Sequence, residues 1–256
     1  MNVDGYELLE RLNRGREIDV YDAWSEVRGC RCVLKTLRPD RRDDAAAVRR
    51  LRAEGRLLLS LTHPHIARAY ELLDVEGAPV LVLETLGGAT LSWLVREGNV
   101  RLKAEDLCHL GLQLCSAIGY LHRGGRLHLD LKPSNVISDA GIARVIDLNL
   151  ARRPGRVPAG YGTAQYLAPE QARGGRVDAA ADVWGIGATL FAAATARRPF
   201  DATGAEQLAR RAESVRRVRR GLPRAFADVV DACLEPAPPD RPVLADLEAE
   251  LDALLS

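Results

Sequence analysis

The chain is 256 residues long, 47% apolar and 28% charged, with 36 Lys plus Arg against 35 Asp plus Glu and a net charge of +1. That composition excludes a disordered chain, and the balanced charge argues against a generic nucleic-acid binder. The length allows one large domain or two lobes. Among the cations only Lys35, Lys103 and Lys132 are lysine, so the placement of lysine carries information that the charge total does not.

The first third predicts strands with one helix. Strands are expected at Tyr6 to Leu12, Val20 to Glu26 and Arg31 to Leu37. A helix over Asp43 to Leu61 follows from Val48, Leu51, Leu58 and Leu61 at helical spacing, and His63-Pro64 ends it. Two more strands are expected near Ala67 to Leu73 and Pro79 to Glu84 before Gly87-Gly88 breaks the chain. From there the pattern is mostly helical: Leu91 to Glu97, Lys103 to Arg123, Ala179 to Ala196, Ala205 to Arg219, Arg224 to Leu234 and Leu244 to Leu255. Val136 to Ile146 interrupts it as a hairpin turning at Asp139-Ala140-Gly141.

Cys30 and Cys32 share a strand face, and Cys108 and Cys115 a helix face. Neither spacing suits a metal, so both pairs are expected to pack in a reducing compartment. Trp24, Trp93 and Trp184 are expected in the core. The acidic, amphipathic N-terminus lacks the apolar stretch of a secretory signal. The apolar run Trp184 to Ala196 is shorter than the about 20 residues that span a bilayer. A soluble, cytoplasmic chain with no membrane partner is therefore expected, standing alone if this is the full length.

The segment His128-Leu129-Asp130-Leu131-Lys132-Pro133-Ser134-Asn135 places an Asp, a Lys and an Asn within six positions. Past the hairpin, Val145-Ile146 runs into Asp147-Leu148-Asn149. Asn135 and Asp147 are hard oxygen donors of the kind that hold Mg²⁺ beside phosphate. Asp130 suits a hydroxyl proton and Lys132 a transferring phosphoryl group. Taken alone, the same residues also fit a turn capped by Asp and Asn with an unrelated exposed Asp.

Further motifs follow in order: Gly160-Tyr161-Gly162-Thr163, then Leu167-Ala168-Pro169-Glu170-Gln171, then Asp182-Val183-Trp184-Gly185-Ile186-Gly187. Upstream lie Cys32-Val33-Leu34-Lys35 and Glu54. From about Tyr6 to Leu254 the chain resembles a eukaryotic-type Ser/Thr protein kinase domain of the bacterial sort. The resemblance implies an α+β, bilobal protein-kinase fold. It would have a small β-rich N-lobe with one main helix (1–83), a hinge (84–88) and a larger, mostly helical C-lobe (89–256), with ATP and Mg²⁺ as cofactors and a protein as substrate. It implies that Lys35 holds the α- and β-phosphates and pairs with Glu54, that Asp130 is the base, and that Lys132 contacts the γ-phosphate beside Thr163. Asn135 and Asp147 would bind the metal. Leu12, Asn13, Gly15 and Val20 would cover the nucleotide, Leu83 would be the gatekeeper, and Glu84 to Leu86 would read adenine. Glu170 and Arg241 would form a buried ion pair, and Asp182 would brace the catalytic loop. The Leu-Lys-Pro-x-Asn form points to Ser/Thr specificity, and the Ala-Pro-Glu and Asp-Val-Trp segments favour a protein over a small-molecule substrate. Two of the three lysines fall where this chemistry asks for a compact ammonium.

Three departures matter. In the glycine-rich loop only Gly15 survives, with Asn13 and Ile18 at the flanking glycine positions and Glu17 and Asp19 adding charge. ATP affinity is expected to be weakened. Leu129 stands where many kinases carry Arg before the catalytic Asp. From Leu148 to Gly162 there is no Ser or Thr, only Tyr161, so control by activation-loop phosphorylation is not expected. Leu148 and Asn149 replace the usual Phe and Gly, Asn being tolerable in a left-handed position. The alternative to an active kinase is a pseudokinase, a regulatory module with weak or no nucleotide binding. The cluster from Arg210 to Arg224 is a solvated face or a dock for an acidic partner. Nucleic acid is not expected there, because no aromatics interleave with the arginines.

Overall fold

The computed structural model describes residues 2–200 and 206–255. The chain divides into two compact units, Met1–Gly87 with Asp147–Asn149, and Gly88–Ile146 with Leu150–Ser256.

The first unit holds β1 (Tyr6–Arg14), β2 (Ile18–Ser25), β3 (Cys30–Leu37), α1 (Ala45–Leu59), β4 (Ala69–Val75) and β5 (Ala78–Glu84). The strands form one antiparallel sheet in the order β1-β2-β3-β5-β4. Alternation along β3 sends Cys32 and Leu34 into a cluster with Val3, Ala23, Val80 and Val82, and therefore sends Lys35 to the opposite face. Burial there pushes the Cys32 thiol up to about 11. Asp44 starts α1 by accepting hydrogen bonds from the amides of Ala46 and Ala47 at 2.9 and 3.1 Å. Leu51, Glu54, Gly55 and Leu58 are the buried stripe of that helix at i, i+3, i+4 and i+7. Glu54 is thus held inward by its apolar neighbours.

The second unit begins with β6 (Ala89–Thr90), α2 (Leu91–Arg96) and α3 (Ala104–Arg123), followed by the hairpin β7 (Val136–Asp139) and β8 (Ile142–Val145). Next come β9 (Gly155–Val157), α4 (Pro169–Arg173), β10 (Gly175–Val177) and α5 (Ala179–Thr195). The chain closes with α6 (Glu206–Ala209), α7 (Val215–Val218), α8 (Arg224–Cys233) and α9 (Leu244–Ala253). Helix α5 is buried on every side, from Ala181 to Ala194, and packs among α3, α8 and α9. A Cβ on Gly187 would lie 2.4 Å from Cβ of Cys233, so glycine sets the closeness of α5 to α8. No helix among the described residues is long and apolar enough to cross a membrane.

Several expectations need correction. The helix expected over Ala205 to Arg219 is two short helices, α6 and α7, and Ala205 lies outside the described residues. Ser214 is extended at ψ 133°, and the Val215 amide is taken by the Asp231 carboxylate at 2.9 Å, which fixes a break where the arginine-rich run lacks a continuous apolar stripe. Trp24 and Trp93 are 40% and 49% exposed. Strand alternation buries Ala23 and Ser25 and turns Trp24 out, while α2 buries Leu91 and Val95 and leaves Trp93 on its other side. The pairing of β9 with β10 was not expected, because these strands have three residues each and no alternating pattern.

Candidate active site

In the first unit the structure brings Lys35, Glu54 and Asp147 together. Nζ of Lys35 donates to both Glu54 oxygens, at 2.7 and 2.8 Å, and to Oδ1 of Asp147 at 2.6 Å. Burial draws the ammonium's pKa down, but the charges of Glu54 and Asp147 outweigh it and hold the pKa above its usual value. Glu54 is also raised: burial disfavours its charge, Lys35 opposes that, and Asp147 adds to it. Both directions follow from two carboxylates sharing one cation. The amide of Leu148 gives Glu54 a further hydrogen bond at 3.1 Å. Asp147 takes φ 67°, the left-handed conformation, whereas Asn149 does not. The left-handed role expected of Asn149 therefore belongs to Asp147, and Oδ1 of Asn149 is buried without a hydrogen-bond partner among the described residues.

In the second unit Asp130 is the centre of a network. Its Oδ1 accepts from Thr163 at 2.7 Å, and its Oδ2 accepts from Lys132 at 2.7 Å and from Asn135 Nδ2 at 3.2 Å. Lys132 also donates to Thr163 Oγ1 at 2.5 Å. Asn135 Nδ2 gives a second hydrogen bond to the Asp130 carbonyl at 2.9 Å, and its Oδ1 takes none among the described residues. Asp182, on α5, is 1% exposed and accepts from the amides of His128 and Leu129 and from His122 Nε2, each at 2.8 Å. Leu129 is buried at φ 64°, a conformation costing about 1 kcal/mol or more outside glycine. Asp182 holds its amide, and Gln171 holds its carbonyl at 2.8 Å, so both neighbours oblige the strained backbone.

The protein kinase domain family model matches residues 6–250. The chain belongs to the protein kinase family. The relatives of this kinase domain include the probable serine/threonine-protein kinase SCO3848 of Streptomyces coelicolor, 36% identical over 76% of this chain and 31% of its own. PknB of Mycobacterium tuberculosis is 35% identical over 77% and 33%, and PrkC of Bacillus subtilis 31% identical over 80% and 32%. The chain spans about a third of the length of the curated relatives it matches.

The segment expected to cover the nucleotide is a tight hairpin in which Asn13 pairs with Val20 and Arg14 with Asp19. Gly15 N–H donates to the Ile18 carbonyl at 2.7 Å. Neither Asn13 nor Gly15 has a positive φ, so the unusual backbone angles allowed for Asn13 are not used. Leu12 is 53% exposed, and Val20 and Leu83 are partly buried. Glu84 exchanges hydrogen bonds with the Arg68 backbone, its carboxylate accepting at 2.8 Å and its amide donating at 3.0 Å. Leu86, two residues on, has no backbone hydrogen bond among the described residues.

The segment that follows Asn149 is tied both within itself and to the loop carrying Asp130. β9 pairs with β10, Leu127 bridges Arg152, and Tyr161 OH donates to the Leu150 carbonyl at 3.2 Å. Gln171, directly after Glu170, donates to the carbonyls of Leu129 and Tyr161 at 2.8 and 2.7 Å, and its own carbonyl accepts from Gly160 at 2.9 Å. Sequence reasoning gave Gln171 no role of its own; its one signal was an amide side chain just inside the start of a short helix.

Proposed function

We propose that the domain is an active Ser/Thr protein kinase that moves the γ-phosphoryl group of ATP to a protein hydroxyl, with residues 1–83 as N-lobe, 84–88 as hinge and 89–256 as C-lobe. The observation that carries this reading is Asp130, aimed by Thr163, Lys132 and Asn135 at once. Asp130 is the acceptor for the proton of the incoming serine or threonine hydroxyl. Thr163 and Asn135 fix its rotamer, and Lys132 beside it supplies positive charge to the transferring group. Lys35, steadied by Glu54, is assigned to the α- and β-phosphates. The donor set suits Mg²⁺: Asn135 keeps an unengaged amide oxygen, and the side chain of Asp147 is 29% exposed. ATP with Mg²⁺, when bound, supplies the phosphoryl group and neutralises its charge. Gly15, its neighbours Leu12, Asn13 and Val20, and Leu83 to Leu86 are the residues assigned to nucleotide. The free thiols suit a cytoplasmic location.

The glycine loop favours a second reading, a pseudokinase that regulates a partner. One measurement separates the two: Mg²⁺-dependent transfer from labelled ATP to a generic protein substrate, wild type against Asp130→Asn. The kinase reading expects the variant to lose about 10²- to 10⁴-fold in rate. Equal, background turnover from both proteins would support the pseudokinase.

A further inference from the structure

The cluster from Arg210 to Arg224 does not form one surface. Arg210 pairs with Glu206 at 2.9 Å and covers the ring of Phe200. Arg211 pairs with Glu235 at 2.7 Å, and Arg219 donates to the Ala194 carbonyl at 3.0 Å. Arg216, Arg217, Arg220 and Arg224 remain, and they line a groove of about 450 Å³ between α7 and the start of α8, together with Ser214 and Asp228. Four guanidinium groups there face one carboxylate, in a chain whose total net charge is only +1.

The groove's internal pairs leave these charges available. Arg217 lies 3.9 Å from Glu213 and Arg224 3.6 Å from Asp228, with both arginine side chains at least 80% exposed. Such exposed pairs at i,i+4 are weak and screened by salt. Neither Arg216 nor Arg220 has an ion pair among the described residues. Guanidinium groups set side by side match carboxylates two bonds at a time.

We propose that this groove is a docking site for a short Asp/Glu-rich segment of the protein that the kinase phosphorylates. Charge complementarity selects an acidic occupant, and a groove of this size takes a few side chains rather than a single ion. The surroundings select a short one: the neighbouring groove sets Asp228, Asp231, Glu235 and Asp240 against the single cation Arg211, so a long uniform polyanion such as nucleic acid would run onto net negative charge. The groove also has no aromatic residue to stack a base. The groove's purpose as a substrate dock rests on the kinase reading; its affinity for an acidic segment does not.

The test is fluorescence anisotropy of the whole chain with a short fluorescein-labelled peptide of alternating Asp and Glu, at low and physiological salt. Wild type is expected to bind in a salt-dependent manner, and Arg216→Glu with Arg220→Glu to bind at least tenfold more weakly with an unchanged unfolding midpoint. A control with the same charge change, Arg49→Glu with Arg56→Glu on the exposed side of α1, is expected to keep most of the affinity. Equal loss in both double variants, or no loss in the first, overturns the site. So does tighter binding of a labelled single-stranded oligonucleotide, or self-association in light scattering that the groove variant abolishes. In a phosphorylation assay, appending the acidic segment to a substrate is expected to lower KM in wild type and not in the groove variant, with kcat the same in both.

Discussion

Gln171 donates a 2.8 Å hydrogen bond to the carbonyl of Leu129, the residue held at φ 64° immediately before Asp130. The same Nε2 reaches Tyr161 in the activation segment at 2.7 Å. One amide thus ties the loop carrying Asp130 to a segment with no serine or threonine between Leu148 and Gly162. In kinases switched by phosphorylation, an Arg before the catalytic Asp meets a loop phosphate. Here that position is a buried leucine, and the tie is built from neutral hydrogen bonds. Gln171→Ala leaves two carbonyls without their donor, at a cost of about 1–3 kcal/mol. The expected result is faster hydrogen exchange over residues 155–163 and lower kcat. Gln171→Glu, which cannot donate, should be no better than Ala. Mass spectrometry of active enzyme is expected to find no essential phosphate from Leu148 to Gly162. Unchanged exchange in both variants would show that the segment is ordered by other contacts.

Lys35 is the one cation between two carboxylates, and its removal should make stability depend on pH in a defined direction. In the wild type the Lys35 pKa is raised above 10.5: burial works against it, and Glu54 and Asp147 outweigh burial. Its contribution is therefore complete below pH 10.5 and is lost only as pH rises through the higher, folded value. Glu54 is raised above 4.5, first by burial, against the pull of Lys35. A raised carboxylate favours the fold when protonated, so that contribution is present below pH 4.5 and lost as pH rises through the folded value. Lys35→Met removes the main opposing influence and raises Glu54 further. At neutral pH the variant should be less stable by about 3–5 kcal/mol. The deficit should shrink as pH falls toward 4.5. Urea unfolding of both proteins across that range tests this, and a deficit independent of pH would contradict it.

The periodic parts of the fold were legible in the sequence, and the parts set by single long-range contacts were not. Strand alternation separated Lys35 from Cys32 and Leu34, and helical spacing put Glu54 on the stripe of Leu51 and Leu58. The break between α6 and α7 depends on Asp231, sixteen residues beyond the amide it captures, and no local pattern announces it. Gln171 was hidden for the same reason, its partners being a strained carbonyl and a loop carbonyl. Asn149 looked suited to a left-handed turn by residue type alone, but the chain takes that conformation two residues earlier, at Asp147.

Arg241 uses all five of its N–H donors. Two go to Glu170 at 2.7 and 2.9 Å, and the others to the carbonyls of Glu235, Ala180 and Pro236 at 2.8, 2.9 and 3.1 Å. Its guanidinium also lies over the ring of Trp184. Arg241→Ala strands the largely buried Glu170 and is expected to cost about 3–5 kcal/mol. Arg241→Lys keeps the charge but has three donors and no plane, and should recover less than half of that. Thermal or urea midpoints measure both; a lysine variant as stable as wild type would show that charge alone matters here.

The glycine-loop hairpin carries an avoidable negative charge. Asp19 is 2% exposed, and among the described residues its Oδ1 has no hydrogen-bond partner and its one ion pair is with Nε of Arg14, 3.9 Å away. Glu17 is engaged by Arg50 at 2.7 Å, so its charge is largely answered, whereas that of Asp19 is not. With the nucleotide placed as proposed, a buried, poorly paired carboxylate in this hairpin works against a triphosphate and against the fold together. Asp19→Asn keeps the shape and removes the charge. It should tighten Mg²⁺-ATP binding by on the order of 1 kcal/mol, about fivefold, and leave the unfolding midpoint equal or higher. Ile18→Gly should also tighten binding, by freeing the approach of the loop backbone, but should lower the midpoint because glycine weakens a strand. Calorimetry with ATP and Mg²⁺ on the three proteins decides the matter. Wild-type affinity in the ordinary kinase range, unmoved by either substitution, would mean that the altered loop is no handicap to nucleotide.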